Sequence, residues 1–294
     1  MSLDELDSMF RELEQKVPKK EEPKEEKIEV KELEVEKKVE KPLPPPVELP
    51  KGEIKEDVAS AKLVILIYGE KGCGKTMQAF SFPGEIACLS FDQKSMRIKQ
   101  NKYNKDDRIH VFDMVKFMDY TDQSSVTQSS SKTYEYINAV LEHLEKTVKP
   151  DWIVIDGSDI FHTICEWTMR FRHGIEAFAG IQNLNLWKER RLLMRQIHNR
   201  CLQIANRGVI YTTYSVKDDL VVDGELVLKK DVPQWIDVIM YATDVVIHAF
   251  TDPVSRTYRA KIITSKDDAL FPSGRSYDVT DKKLWEVIEN ENKS

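Results

Sequence analysis

Gly69-Glu70-Lys71-Gly72-Cys73-Gly74-Lys75-Thr76 sets its glycines, lysine and threonine at the spacing G-x-x-x-x-G-K-[ST]. Those residue types at that spacing suit one task, the grip of a triphosphate. Glycines let successive backbone N–H groups turn toward a single anion. Lys75 is expected to reach the β- and γ-phosphates, and the Thr76 hydroxyl to ligate Mg2+. With Met77, which opens the next segment, the candidate nucleotide-binding set is Gly69, Glu70, Lys71, Gly72, Cys73, Gly74, Lys75, Thr76 and Met77.

A second signal is Trp152-Ile153-Val154-Ile155-Asp156, an apolar run ending in an acid 81 residues after Lys75. That is a Walker B pattern, and Asp156 is the expected second Mg2+ ligand beside Thr76; the plainer reading is a cap for the next helix. Hydrolysis also needs a group that orients or deprotonates water. Asp92, Glu70 and Asp159 are the candidates, with Asp92 preferred because it ends a strand, where open α/β sheets assemble their sites. Tyr214, with Thr213 and Ser215, ends a later strand and is expected near the γ-phosphate or the attacking water. Lys261 and Lys266 are candidates for neutralising transition-state charge across a subunit interface; the alternative for each is a solvated surface charge.

The elements that must position these residues are legible as well. Leu63-Val64-Ile65-Leu66-Ile67-Tyr68 is a continuous apolar run, the mark of a buried parallel strand, and Met77-Gln78-Ala79-Phe80 continues the loop as a helix whose N-terminus favours phosphate. Strands are expected at Glu85–Asp92, His110–Asp113, Trp152–Asp156, Gly208–Tyr214, Asp244–Phe250 and Thr257–Thr264. Helices are expected at Thr133–Val148, Ile160–Arg172, Leu184–Asn206 and Asp281–Glu289, and Asp119–Lys132 reads as a loop. Leu220–Leu228 around Asp223-Gly224 reads as a hairpin. Alternation of strands and helices implies an α/β fold with a mainly parallel sheet.

Three regions are expected: a short amphipathic segment at 1–17, a disordered Lys/Glu/Pro-rich linker at 18–60, and an ATPase domain over 61–294. Leu3, Leu6, Met9 or Phe10, Leu13 and Val17 recur at helical spacing, which suits docking on a protein partner through residues 3–17. Of the 44 basic and 50 acidic residues, 12 and 18 fall within residues 1–60, which leaves 32 of each in the remainder. A neutral core binds nucleic acid through a local basic patch or not at all. The helical run Trp187–Arg200 is the most basic, but Leu193, Ile197, Cys201 and Ile204 make a core stripe along it. Trp167, Phe171 and Phe178 are expected in the core rather than stacked on bases. The four cysteines, Cys73, Cys88, Cys165 and Cys201, are widely spaced and form no zinc pattern. With no leader-like N-terminus and no apolar run of membrane-spanning length, a soluble cytoplasmic protein is expected, in a cell or in the host of a virus.

The phosphate loop and the Walker B strand together resemble the RecA-like P-loop ATPases, the loop itself being similar to that of archaeal RadA. The likeness extends over Lys62–Asp267 to the compact RecA-like proteins of phages and archaeal viruses, a family that includes single-strand annealing proteins. Their pattern is similar to Trp187 early in a helix, Tyr211-Thr212-Thr213-Tyr214 at a strand end, Pro233-Gln234-Trp235, Asp244 opening a strand, and a last strand bearing lysine. The resemblance implies an ATP- and Mg2+-dependent hydrolase, a homo-oligomer working on single-stranded DNA in recombination, annealing or replication. It implies a trans-acting basic residue at Lys266 and a water-activating glutamate after the second strand. Phe91-Asp92-Gln93-Lys94 has no glutamate there, so Asp92 is the expected shorter substitute. The competing reading is an ATP-switched adaptor that tethers a replication partner through its N-terminal segment. A small-molecule kinase would need an Arg-rich lid that the sequence lacks.

Overall fold

A computed structural model of the chain describes residues 62–222, 225–234 and 236–292. The segment at 1–17, the linker at 18–60, the Asp223-Gly224 turn and Trp235 lie outside the described residues. In chain order the elements are β1 (Leu63–Gly69), α1 (Lys75–Ala79), β2 (Ile86–Ser90), α2 (Ser95–Lys102), β3 (Ile109–Asp113), α3 (Gln123–Lys146), β4 (Trp152–Asp156) and α4 (Ser158–Arg172). There follow α5 (Leu186–Ile204), β5 (Gly208–Val222), β6 (Glu225–Pro233), α6 (Asp237–Ala242), β7 (Val245–Thr251), β8 (Tyr258–Ser265), β9 (Ser276–Asp278) and α7 (Leu284–Asn292).

The sheet runs β3-β2-β4-β5-β1-β7-β8-β9, and β6 pairs with the outer half of β5. From β3 to β7 every pairing is parallel; β8, β9 and β6 are antiparallel to their neighbours. This is the mainly parallel, helix-flanked α/β sheet that the sequence implies, with β5 between the phosphate-loop strand β1 and the Walker B strand β4. Both faces are covered, which is why β1 is apolar up to Tyr68 and β4 up to Ile155. Val64 and Leu66 pack into a core on the side of α3, α4 and α5; Ile65 and Ile67 pack into a second core with Phe80, Phe271 and Leu284. Ile153 and Ile155 face the first core, Trp152 and Val154 the second. Among the described residues, no helix is long and apolar enough to cross a membrane.

The sheet register brings the site together. Ser90 lies opposite Asp156, Asp156 opposite Thr212, Tyr68 opposite Thr213, and Gly69 opposite Tyr214. On that row β2, β4 and β1 end and β5 leaves the parallel sheet, which makes the C-terminal edge where α/β sheets bind ligands.

Several expectations are corrected. Residues 123–132, expected within a loop, are the first part of α3. Asp122 starts that helix by accepting a hydrogen bond from Ser125 N at 2.9 Å. The hydroxyls of Thr127, Ser129 and Ser130 bond back to carbonyls three or four residues earlier, so a Ser/Thr-rich stretch tolerates burial as a helix. The expected strand end at Tyr214 is not an end: β5 runs on without a break into the hairpin. Phe171 and Phe178, expected in the core, are 43% and 75% exposed. The stripe of Leu193, Ile197, Cys201 and Ile204 is buried as expected.

Candidate functional site

Residues 69–76 leave the end of β1 and enter α1. Gly69 is required by crowding: a Cβ there would lie 1.9 Å from the Ala249 carbonyl oxygen and 2.7 Å from Cys73 Sγ. Cys73 is itself buried, and its thiol donates to the Glu70 carbonyl at 2.9 Å, which tightens the loop. Burial pushes that thiol above the usual cysteine range.

Lys75, the first residue of α1, folds over the loop that precedes it. Its Nζ donates to the carbonyl oxygens of Gly69 and Glu70, each at 2.9 Å, and lies 4.4 Å from the centre of the Tyr214 ring. Burial pushes the Lys75 ammonium below the usual lysine range, against the pull of Cys73 and the carboxylates of Asp156, Asp92 and Asp159. A partly desolvated cation held by neutral carbonyls gains from the arrival of an anion.

Thr76 and Asp156 meet as the sequence reading requires. Thr76 Oγ1 donates to the Asp156 carboxylate, 2.9 Å from Oδ1 and 3.0 Å from Oδ2. Asp156 is 2% exposed and carries two further hydroxyl donors that sequence reasoning missed: Ser95 Oγ at 2.6 Å from the start of α2 and Thr212 Oγ1 at 2.6 Å from β5. Ser90 Oγ lies 2.6 Å from Ser95 Oγ, extending the chain of hydroxyls. Burial pushes the Asp156 carboxyl above the ordinary aspartate range, with Asp92 adding to the rise, while the three hydroxyls pull the other way. A hydroxyl and a carboxylate in contact, both buried, suit Mg2+. Among the described residues no group of three or more His, Cys, Asp or Glu could hold a metal ion alone, so Mg2+ would share its ligands with a nucleotide's phosphates. Thr76 and Asp156 would hold it, and it would neutralise charge on the phosphates.

The loop opens onto a cavity of about 460 Å3, within the size range of small-ligand sites. Lys71, Gly72, Cys73, Gly74, Thr76 and Met77 line it beside Lys75. Asp92, Asp159 and Tyr214 also line it. The Tyr214 hydroxyl is pushed up by burial and by those carboxylates together with Asp156. Gly157, with φ at 93°, permits the approach of β2 to β4 here: a Cβ would sit 3.3 Å from Phe91 Cβ and 3.6 Å from Asp92 Cβ. Lys71, Lys75, Lys94, Lys102, Lys282 and Lys283 all border the cavity. Set against the carboxylates of Asp92, Asp156, Asp159 and Asp281, these six ammonium groups leave the concavity net cationic in a core of neutral total charge. Lysines 282 and 283, from the turn before α7, carried no signal in the sequence.

Two residues stand elsewhere. The Glu70 side chain is exposed and turned toward the hairpin, 3.7 Å from Lys217 Nζ; only its carbonyl serves the loop. Lys266 bonds Asp244 Oδ1 at 2.8 Å and lines a separate cleft with Leu63, Trp152 and Arg207. Those residues sit at the N-terminal ends of β1, β4 and β5, the edge opposite the loop, because antiparallel β8 carries its C-terminus there. The structure does not bring Lys266 to its own chain's phosphate loop. Lys261 lies opposite His248, which is opposite Tyr68, nearer the loop edge.

Two arginines of the basic run of α5 are engaged within the fold, while Lys188, Arg191 and Arg195 are exposed. Arg190 stacks on Trp187 at 4.7 Å and pairs with Glu166 at 3.4 Å, and Arg200 lies 3.8 Å from Glu145.

No curated protein matches the chain. Among solved structures, the chain is similar to a KaiC-like protein from the hyperthermophilic archaeon Pyrococcus horikoshii, with 13% identity, 74% of this chain and 84% of that one covered, and a TM-score of 0.40. The model of the AAA domain family AAA_24 matches residues 61–276, a span that holds the loop, the Walker B strand and the hydroxyls around Asp156, and the chain belongs to that family.

Proposed function

We propose that this protein binds ATP with Mg2+ and hydrolyses it, and that it uses the cycle on DNA in recombination, annealing or replication. The observation that carries the nucleotide part is the Lys75–Thr76–Asp156 arrangement. A desolvated ammonium and a buried hydroxyl–carboxylate pair face one cationic cavity and leave a triphosphate and its metal as the natural occupants. Lys75 orients the β- and γ-phosphates, the loop amides hold them, and Asp156 positions the metal. Tyr214 takes the place beside the γ-phosphate that Lys75 now occupies in part. A carboxylate lining the cavity, Asp92 by the sequence resemblance or Asp159 by its place on α4, activates the water. The sequence resemblance to single-strand annealing proteins supports the DNA role. The exposed rings of Phe171 and Phe178 beside α4 suit stacking on unpaired bases. Assembly with further copies of the chain would be the setting in which Lys266 acts.

A second reading, an ATP-switched adaptor, is favoured by the equal 32 basic and 32 acidic residues beyond residue 60. One experiment separates the two: ATPase rate with and without single-stranded DNA, over a salt series. DNA stimulation that fades with salt is the expected outcome. A rate indifferent to DNA supports the adaptor, and no turnover with any nucleotide removes the enzymatic reading.

A further inference from the structure

Three carboxylates approach the Lys75 ammonium, and the structure has given two of them other work. Asp156 accepts from Thr76, Ser95 and Thr212, so its acceptor capacity is committed to the metal side of the site. Asp92 Oδ1 accepts from Lys94 N at 3.0 Å, closing a turn in which Gln93 has φ of 62°; this turn leads into α2 and seats Ser95 on Asp156. Asp159 lines the same cavity from the first turn of α4, and its Oδ1 is buried with no hydrogen-bond partner. Buried carboxylate oxygens in folded proteins are almost always satisfied, and one left open beside a reactive centre calls for a donor. Its place on a helix, three residues past the Walker B acid, fixes it more firmly than a loop would.

We propose that Asp159, rather than Asp92, holds and deprotonates the water that attacks the γ-phosphate, an assignment that rests on the ATP-hydrolysing reading above. The water oxygen bonds to the γ-phosphorus. The bond from phosphorus to the β–γ bridging oxygen breaks, and its electron pair stays on ADP. The proton of the water passes to the Asp159 carboxylate and from there to solvent, which returns the carboxylate for the next cycle. Asp92 is then a positioning residue whose turn delivers Ser95 to Asp156. No glutamate is needed after β2, which accounts for Lys94 at that place.

The test compares the full chain with its Asp159→Asn, Asp159→Glu and Asp92→Asn variants in Mg2+ and ATP. Turnover, its pH profile and the affinity for a fluorescent ATP analogue are measured for each. Asp159→Asn is expected to lower turnover on the order of 100-fold, with affinity within about threefold of wild type. The acidic limb of the turnover profile is expected to vanish in that variant, and Asp159→Glu to recover at least about a tenth of the rate. A helix-end charge with no chemical role would leave the pH profile as it is. Wild-type turnover in Asp159→Asn, or a larger loss in Asp92→Asn at matched affinity, overturns the proposal. A wild-type chain that binds ATP without turnover overturns the hydrolase reading first and this assignment with it, and that result is read before any variant is made.

Discussion

Lys75 is held by two carbonyls and an aromatic face, each a weaker partner for an ammonium than phosphate. Lys75→Ala should therefore lower ATP affinity by about 3 kcal/mol, on the order of 100-fold, in a nucleotide titration; retained affinity would move the site. Asp156 makes a pH-dependent prediction. Its carboxyl is raised in the folded chain, chiefly by burial, so ionisation opposes folding. The stability linked to it is fully present below the unfolded aspartate value and is lost as pH rises through the folded value. Asp156→Asn should then raise the melting temperature of the nucleotide-free protein at pH 7, and the gain should shrink as pH falls toward 4. With Mg2+ and ATP the order should reverse, because the wild type alone keeps the ionised ligand. Ser95 is the least anticipated member of the site. Ser95→Ala removes a 2.6 Å hydrogen bond to Asp156, and about a 10-fold increase in the Mg2+ needed for half-maximal nucleotide binding is expected.

At the scale of elements, β5 matters most. It places Thr212 on Asp156 and Tyr214 over Lys75, then continues as the strand that pairs with β6 from Ser215 onward. Start signals also decide α3, where Asp122 caps a helix that a Ser/Thr-rich composition disguised. Asp122→Ala should cost about 1 kcal/mol and lower the melting temperature by roughly 2–4 °C in a thermal scan, with ATP affinity unaltered. The aromatic residues after α4 were misread for a related reason: helical spacing assigns Phe171 a face, but whether anything covers that face depends on elements far along the chain.

Across the whole molecule, the parallel strands have two unlike edges. The C-terminal edge holds the loop, Asp156 and Tyr214, and the opposite edge holds Lys266 with Asp244. A role for Lys266 in turnover thus requires the site of another copy. Turnover per chain should then rise with protein concentration across a dilution series, and Lys266→Ala should flatten that rise without altering ATP affinity. A rate per chain independent of concentration, in wild type and variant alike, would leave Lys266 as the partner of Asp244 alone.

Short-range patterns determined what the sequence could declare by itself. Gly69–Thr76 is contiguous, and its residue types state their chemistry without knowledge of the fold. The runs Leu63–Tyr68 and Trp152–Ile155 are apolar at every step, which signals burial on both faces. Asp156 followed from its place at the end of such a run. The tertiary structure alone decided the rest, because it depends on which strand ends lie side by side. Ser90, Ser95 and Thr212 are unremarkable residues in isolation; the pairing of β2 with β4 and β4 with β5 stacks them on one carboxylate. The same pairing separates three aspartates that look alike in sequence into one held by the Thr76 hydroxyl, a turn former and a carboxylate with a buried, unpartnered oxygen. Antiparallel β8 carries Lys266 to the edge opposite its own chain's phosphate loop.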